Sequence, residues 1–138
     1  MTAALLLVLA LAHTPTPATP GVTRTLTRAA VCRTRWGVDR RHVTLSMRKQ
    51  VFAAYGIPWR EHAKYEVDHL LPRELGGADD VANLWPQPWE GAWNARMKDR
   101  LENRLHRLVC AGTVSLSSAQ QRIRTDWIAA YRRYVSAR

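Results

Sequence analysis

The chain has 138 residues, with 21 Lys and Arg against 11 Asp and Glu and a formal net charge of +10. That length gives room for one domain with one modest core. Two cysteines and no CxxC pair argue against a structural zinc site built from thiolates. The charge excess is more than a small domain needs for solubility. It points to an anionic partner: polyphosphate first, because Lys and Arg neutralise phosphates and release counterions, with an anionic cell surface as the alternative.

No charged side chain occurs in residues 1–20, where Leu5 to Leu11 forms a short apolar run before Pro15, Pro17 and Pro20. Roughly 18 apolar residues are needed to span a bilayer, so stable membrane insertion is not expected. A secretory signal over residues 1–20 fits the run, although its usual basic start is missing. The protein is then expected to be secreted or periplasmic. A mis-called start before a disordered tail is the other reading and leaves the protein in the cytoplasm. Residues 21–31 read as linker, and 32–138 as the folded domain. In an exported chain, Cys32 and Cys110 have only each other as intramolecular disulfide partners, and closing that loop is worth about 4–5 kcal/mol in the chain-entropy model. In the cytoplasm two buried free thiols are expected instead.

From Ala29 to Val43 the sequence is too basic for a core strand, yet Val31, Trp36 and Val38 need packing; an irregular arm pinned at Cys32 answers both. Thr44 or Ser46 can cap a helix reaching about Ala54, with Met47, Val51 and Phe52 or Tyr55 on its apolar side. Gly56 and Pro58 end it. Tyr65 to Leu71 is the best strand candidate, followed by a Gly76-Gly77 turn and a short helical turn at Asp79 to Ala82. Pro86 and Pro88 keep the next stretch extended.

Beyond about Gly91 the apolar period becomes helical. Trp93, Met97, Leu101, Leu105, Leu108 and Val109 share one face, and Arg96, Arg100, Asn103, Arg104 and Arg107 share the other. Gly112 suits the C-terminal stop. A last helix is predicted from Ser117 or Ser118, with Gln120 or Gln121 completing a capping box and Ile123, Trp127, Tyr131, Tyr134 and Val135 as its stripe. The expected class is α+β: one hairpin, a following helix, and flanking helices.

The chemistry concentrates between Tyr65 and Lys98. Hydrolysis of a phosphodiester needs a nucleophilic water, a proton acceptor and positive charge at the leaving oxygen; a divalent cation commonly supplies the charge, and a neutral imidazole suits the acceptor. Asp68 and His69 offer a ligand and a base. Consecutive strand residues point to opposite faces, so the pair must sit where the strand ends if both are to serve one site.

The segment VDHLLPRELGGADDVANLW, with WNARMKD beyond it, resembles the HNH nuclease motif, a beta-beta-alpha-metal finger. The resemblance implies His69 as general base and Asp68 as a metal ligand. Asn83 completes the catalytic set by bracing the loop that holds the histidine. The interval from His69 to Asn83 is typical of the motif, while that from Asn83 to Asn94 is longer than usual. Asn94 is carried as the second metal ligand, and His106 lies too far along the helix to replace it. The implied cofactor is a divalent ion, Mg2+ first, with Mn2+, Ni2+ or Zn2+ as alternatives and no small-molecule cofactor. Softer similarity over Cys32 to Tyr134 points to a compact exported bacterial subgroup, in which a disulfide replaces the zinc-binding CxxC pairs of many HNH proteins.

Arg73, Arg96, Lys98, Arg100 and Arg104 are the expected nucleic-acid contacts, and Trp85 and Trp89 could stack on bases. Glu66 shares a strand face with Asp68 and is expected in a structural salt bridge; His42 and His62 are expected at the surface. The expected activity is a metal-dependent endonuclease, on DNA before RNA, with low sequence selectivity and 5′-phosphate products. The alternative is a basic nucleic-acid-binding protein that keeps the HNH fold without the reaction. A purely structural cationic protein is the third class.

Overall fold

The computed structural model describes residues 13–136, so the Leu5 to Leu11 run and the signal assigned to it lie outside the described residues. Six main elements follow in order: α1 (Arg28–Arg33), α2 (Leu45–Ala54), β1 (Tyr65–His69), β2 (Leu84–Pro88), α3 (Ala95–Cys110) and α4 (Leu116–Tyr131). Short helical turns at Trp59–Lys64, Arg73–Leu75 and Val81–Asn83 fill the connections. The class is α+β. No helix among the described residues is long and apolar enough to cross a membrane.

The helices begin where polar side chains can satisfy the free N–H groups of a first turn. Thr27, Thr44, Asn94 and Ser115 each accept a backbone N–H through the side chain, for α1, α2, α3 and α4 respectively. The start of the basic stretch thus forms a short helix, because Thr27 caps it and Val31 is fully buried. Residues 34–43 are the expected irregular arm, pinned at Cys32 and laid on the domain through the Arg41 bond to the Val67 carbonyl. Helix α4 starts earlier than predicted. Ser115 is its cap, and Gln120 donates across to the Leu75 carbonyl at 2.7 Å instead of closing a capping box.

Strands β1 and β2 form a two-stranded antiparallel sheet, with Glu66 opposite Gln87, Asp68 opposite Trp85 and His69 opposite Leu84. Prolines are tolerated in β2 because both strands of such a sheet are edges. Side chains alternate across it. Val67 and Leu84 pack on one face with Val51 and Phe52 of α2. Helix α3 attaches to the other face through the Lys98 side chain, which reaches Asp68. A second, larger apolar cluster joins Leu101, Leu105 and Val109 of α3 to Ile123 and Trp127 of α4, with Leu71 and Leu75 between them.

Residues 21–31, read as linker, belong to the domain. Thr23 pairs with Gly77, the Gly21 N–H donates to the Ala82 carbonyl at 3.0 Å, and Arg24 donates to Gly76 at 2.8 Å. Part of the stretch assigned to the signal is docked as well: buried Thr19 donates to the Leu84 carbonyl, and Trp127 donates to the His13 carbonyl. Cys32 and Cys110 form a disulfide that ties α1 to the end of α3.

Candidate functional site

Between the strands, residues 70–83 fold into a compact loop whose shape is set by two glycines and one asparagine. Gly76 has φ 84°, a conformation in which any other residue is strained. A Cβ on Gly77 would stand 1.7 Å from the Leu71 carbonyl oxygen, so only glycine fits there. Asn83 is fully buried. Its Oδ1 accepts from Leu71 N at 3.0 Å and Val22 N at 3.3 Å, while Nδ2 donates to the Leu71 and Ala78 carbonyls, each at 3.0 Å. One amide side chain therefore holds both sides of the loop and the N-terminal strap.

The loop carries Asp79 back to the end of β1. His69 is the last residue of that strand, and its Nε2 lies 2.7 Å from Asp79 Oδ1. The other Asp79 oxygen accepts from His42 N at 2.7 Å, and Arg73 Nε stands 3.4 Å from Oδ1. Burial pushes the Asp79 carboxyl up, but the His42 N–H, His69 and Arg73 outweigh it and hold it below its usual range. For His69, burial dominates and lowers the imidazole pKa despite the Asp79 hydrogen bond. The ring is thus neutral near pH 7, with its proton on the nitrogen facing the carboxylate. That leaves Nδ1 with a lone pair, and no hydrogen-bond partner for it occurs among the described residues. An oriented imidazole with one free lone pair can accept a proton.

Asp68 points into the sheet face covered by α3. Its Oδ2 accepts from Lys98 Nζ at 2.8 Å and Trp85 Nε1 at 3.3 Å. Lys98 also donates to the His69 carbonyl at 2.7 Å and to Glu102. The expected Lys98 contact with phosphate is therefore corrected: the side chain is completely buried and serves as an internal cation that pins α3 to β1. Burial opposes its charge, but Asp68 and Glu102 more than offset that and raise its pKa. Trp85 is likewise buried and cannot stack on a base.

Asp68 and His69 both line an open pocket of about 470 Å3, together with Glu66, Asp99, Glu102 and Arg73. Glu66 does not form the expected salt bridge; one of its oxygens is buried without a hydrogen-bond partner. Burial, then the nearby Asp68 and Asp99 charges, push its carboxyl up to about 7. Burial raises Asp99 and Glu102 as well. These carboxylates, one with an orphaned oxygen, are oxygen donors of the kind a hard divalent ion takes, although Lys98 already neutralises Asp68 and Glu102. Glu66, Asp68 and Asp99 are the acidic group of this pocket, but their ligand atoms do not lie within 4.8 Å of one another.

Asn94 is not in that group. Its Oδ1 accepts from Met97 N and its Nδ2 donates to the Gly91 carbonyl, so both polar atoms are used in capping α3, and it does not line the pocket. Arg73 lines the pocket but is mostly buried, paired with Asp39. Arg96, Arg100 and Arg104 are exposed on the outer side of α3 and do not line it. His42 and His62 are exposed, as expected. Sequence reasoning missed Asp79 and the roles of Asp99 and Glu102. The Asp79-Asp80 pair directly after the glycine turn was the available signal for the first. For the others, the i,i+3 spacing of acids on an otherwise basic helix was the clue.

Compared with family models, with curated proteins and with solved structures, the chain has no match. Its functional reading rests on the residues of the pocket.

Proposed function

We propose that the chain is a divalent-metal-dependent endonuclease of the HNH type, hydrolysing phosphodiester bonds, with DNA before RNA as substrate. The observation that carries this is the Asp79–His69 pair at the edge of a carboxylate-lined pocket. His69 takes the proton of the attacking water on Nδ1, and Asp79 keeps the ring in the tautomer that makes this possible. Asn83 is a positioning residue that fixes the loop bearing Asp79. Arg41, exposed at the same pocket, suits a phosphate oxygen, whereas Arg73 is taken up by Asp39 and Asp79. Asp68 would be the protein ligand of the cation, with Glu66 and Asp99 having to close towards it, and the bound ion would supply positive charge at the leaving oxygen. The exposed Arg96, Arg100 and Arg104 offer a sequence-independent track for the backbone.

The test is nicking of supercoiled plasmid with and without EDTA. Metal-dependent nicking that falls about 10²–10⁴-fold in His69→Ala, with plasmid binding kept, is expected for loss of a general base. Binding without nicking in Mg2+, Mn2+, Ni2+ or Zn2+ overturns it. One observation favours a second reading, a nucleic-acid-binding protein without the reaction: the Lys98 ammonium already neutralises Asp68 from within. The same assay decides between them.

A further inference from the structure

A second group of metal-ligating side chains lies at the other end of α3, outside the pocket. The ligand atoms of Cys32, His106 and Cys110 are all within 4.8 Å of one another. We propose that these three residues form a site for a borderline-soft divalent ion such as Zn2+, closed while Cys32 and Cys110 are bonded and opened by reduction.

The His106–Cys110 half of the arrangement already has the spacing such an ion requires, and the two sulfurs, bonded to each other, must part on reduction to reach it. Zn–S bonds of about 2.3 Å and Zn–N bonds of about 2.0–2.1 Å at a tetrahedral angle put sulfur and nitrogen about 3.6 Å apart. Cys110 Sγ and His106 Nε2 are 3.7 Å apart. His106 and Cys110 are four residues apart on α3, which puts both on one face, and Cys32 comes from α1. The other ring nitrogen, Nδ1, is 4.0 Å from Glu74 Oε2. That is beyond hydrogen-bond distance, so the carboxylate would have to move closer to orient a ligating imidazole. In ligating, Nε2 gives up only a 3.3 Å contact with the Val31 carbonyl. All three residues are partly exposed, so both a reductant and an ion can reach them.

The chemistry balances with a dithiol as reductant. The Cys32–Cys110 bond breaks, the dithiol is oxidised to its own disulfide, and two thiols form on the protein. Binding one divalent ion then releases both thiol protons. The ion would join α1 to α3 at the point where the disulfide joins them, giving the same brace in a reducing as in an oxidising compartment.

Co2+ is the probe, because thiolate ligation gives it a near-ultraviolet charge-transfer band that oxygen ligands in the acidic pocket cannot produce. Full-length protein is titrated oxidised and after anaerobic reduction, with far-ultraviolet circular dichroism followed in parallel. Reduced, natively folded protein should take one equivalent with the thiolate band, Zn2+ should displace it, and oxidised protein should show none. His106→Gln, reduced, should bind at least about tenfold more weakly. No thiolate band on reduction, a band only in unfolded chain, or unchanged affinity in His106→Gln overturns the proposal.

Discussion

The two faces of the β1–β2 hairpin are built on opposite principles. One is apolar: Val67 and Leu84 meet Val51 and Phe52 of α2, and burial alone holds them. The other is polar: Glu66 and Asp68 share it with Trp85 and Gln87, and a buried lysine from α3 closes it. The first face is held by contacts that tolerate approximate fit. The second depends on charges that must be matched, and they are not fully matched. Gln87 is buried with neither amide atom hydrogen-bonded, and Glu66 has one orphaned oxygen. The hairpin is stabilised from one side and given its chemistry on the other.

Substitutions on each face should separate these principles. Lys98→Met keeps the bulk of the side chain but leaves Asp68 and Glu102 uncompensated. It should cost about 3–5 kcal/mol in urea unfolding, the usual result of removing one partner of a buried ion pair. On the apolar face Val67→Ala should cost less, about 2 kcal/mol, from lost burial plus a small cavity. The smallest effect has the opposite sign. Glu66 titrates at about 7 in the folded chain against a reference of 4.5. The folded state therefore binds this proton more tightly than the unfolded state. That contribution is fully present below about pH 4.5 and is lost as pH rises to about 7. Glu66→Gln should stabilise the EDTA-treated protein by about 1–2 kcal/mol above pH 7, after allowance for solvent screening, and by nothing near pH 4. A constant difference between pH 4 and pH 8 would contradict the burial of that charge.

Much of the frame could be read in advance because it is local. A cap at Thr44, a stop at Gly112, and the helical period of Leu101, Leu105 and Val109 are written in short stretches of sequence. So is the need for His69 to end its strand, with Asn83 bracing the loop that follows. What escaped depends on tertiary placement. Nothing near Lys98 signals that a lysine on an arginine-rich helix turns inward; that follows from the hairpin face it meets. Asp79 reaches His69 only because Gly76 and Gly77 fold the loop back. Asn94 looked like a ligand because its spacing was nearly right, but a helix start has its own claim on an asparagine. Residues 21–24 carry no apolar pattern because they are held by backbone hydrogen bonds, which leave no trace in composition.

The docked N-terminal strap has a consequence for the order in which this chain can fold. His13 meets Trp127 across 114 residues, and Thr19 meets Leu84 across 65. Both strap residues precede α1, yet one of their partners lies in α4. Closing such long loops is slow, because the entropy is spent before the contact rewards it. A chain emerging N-terminus first cannot complete its fold until α4 has also emerged. The strap and α4 therefore report on one event, and removing the strap's contacts should loosen α4.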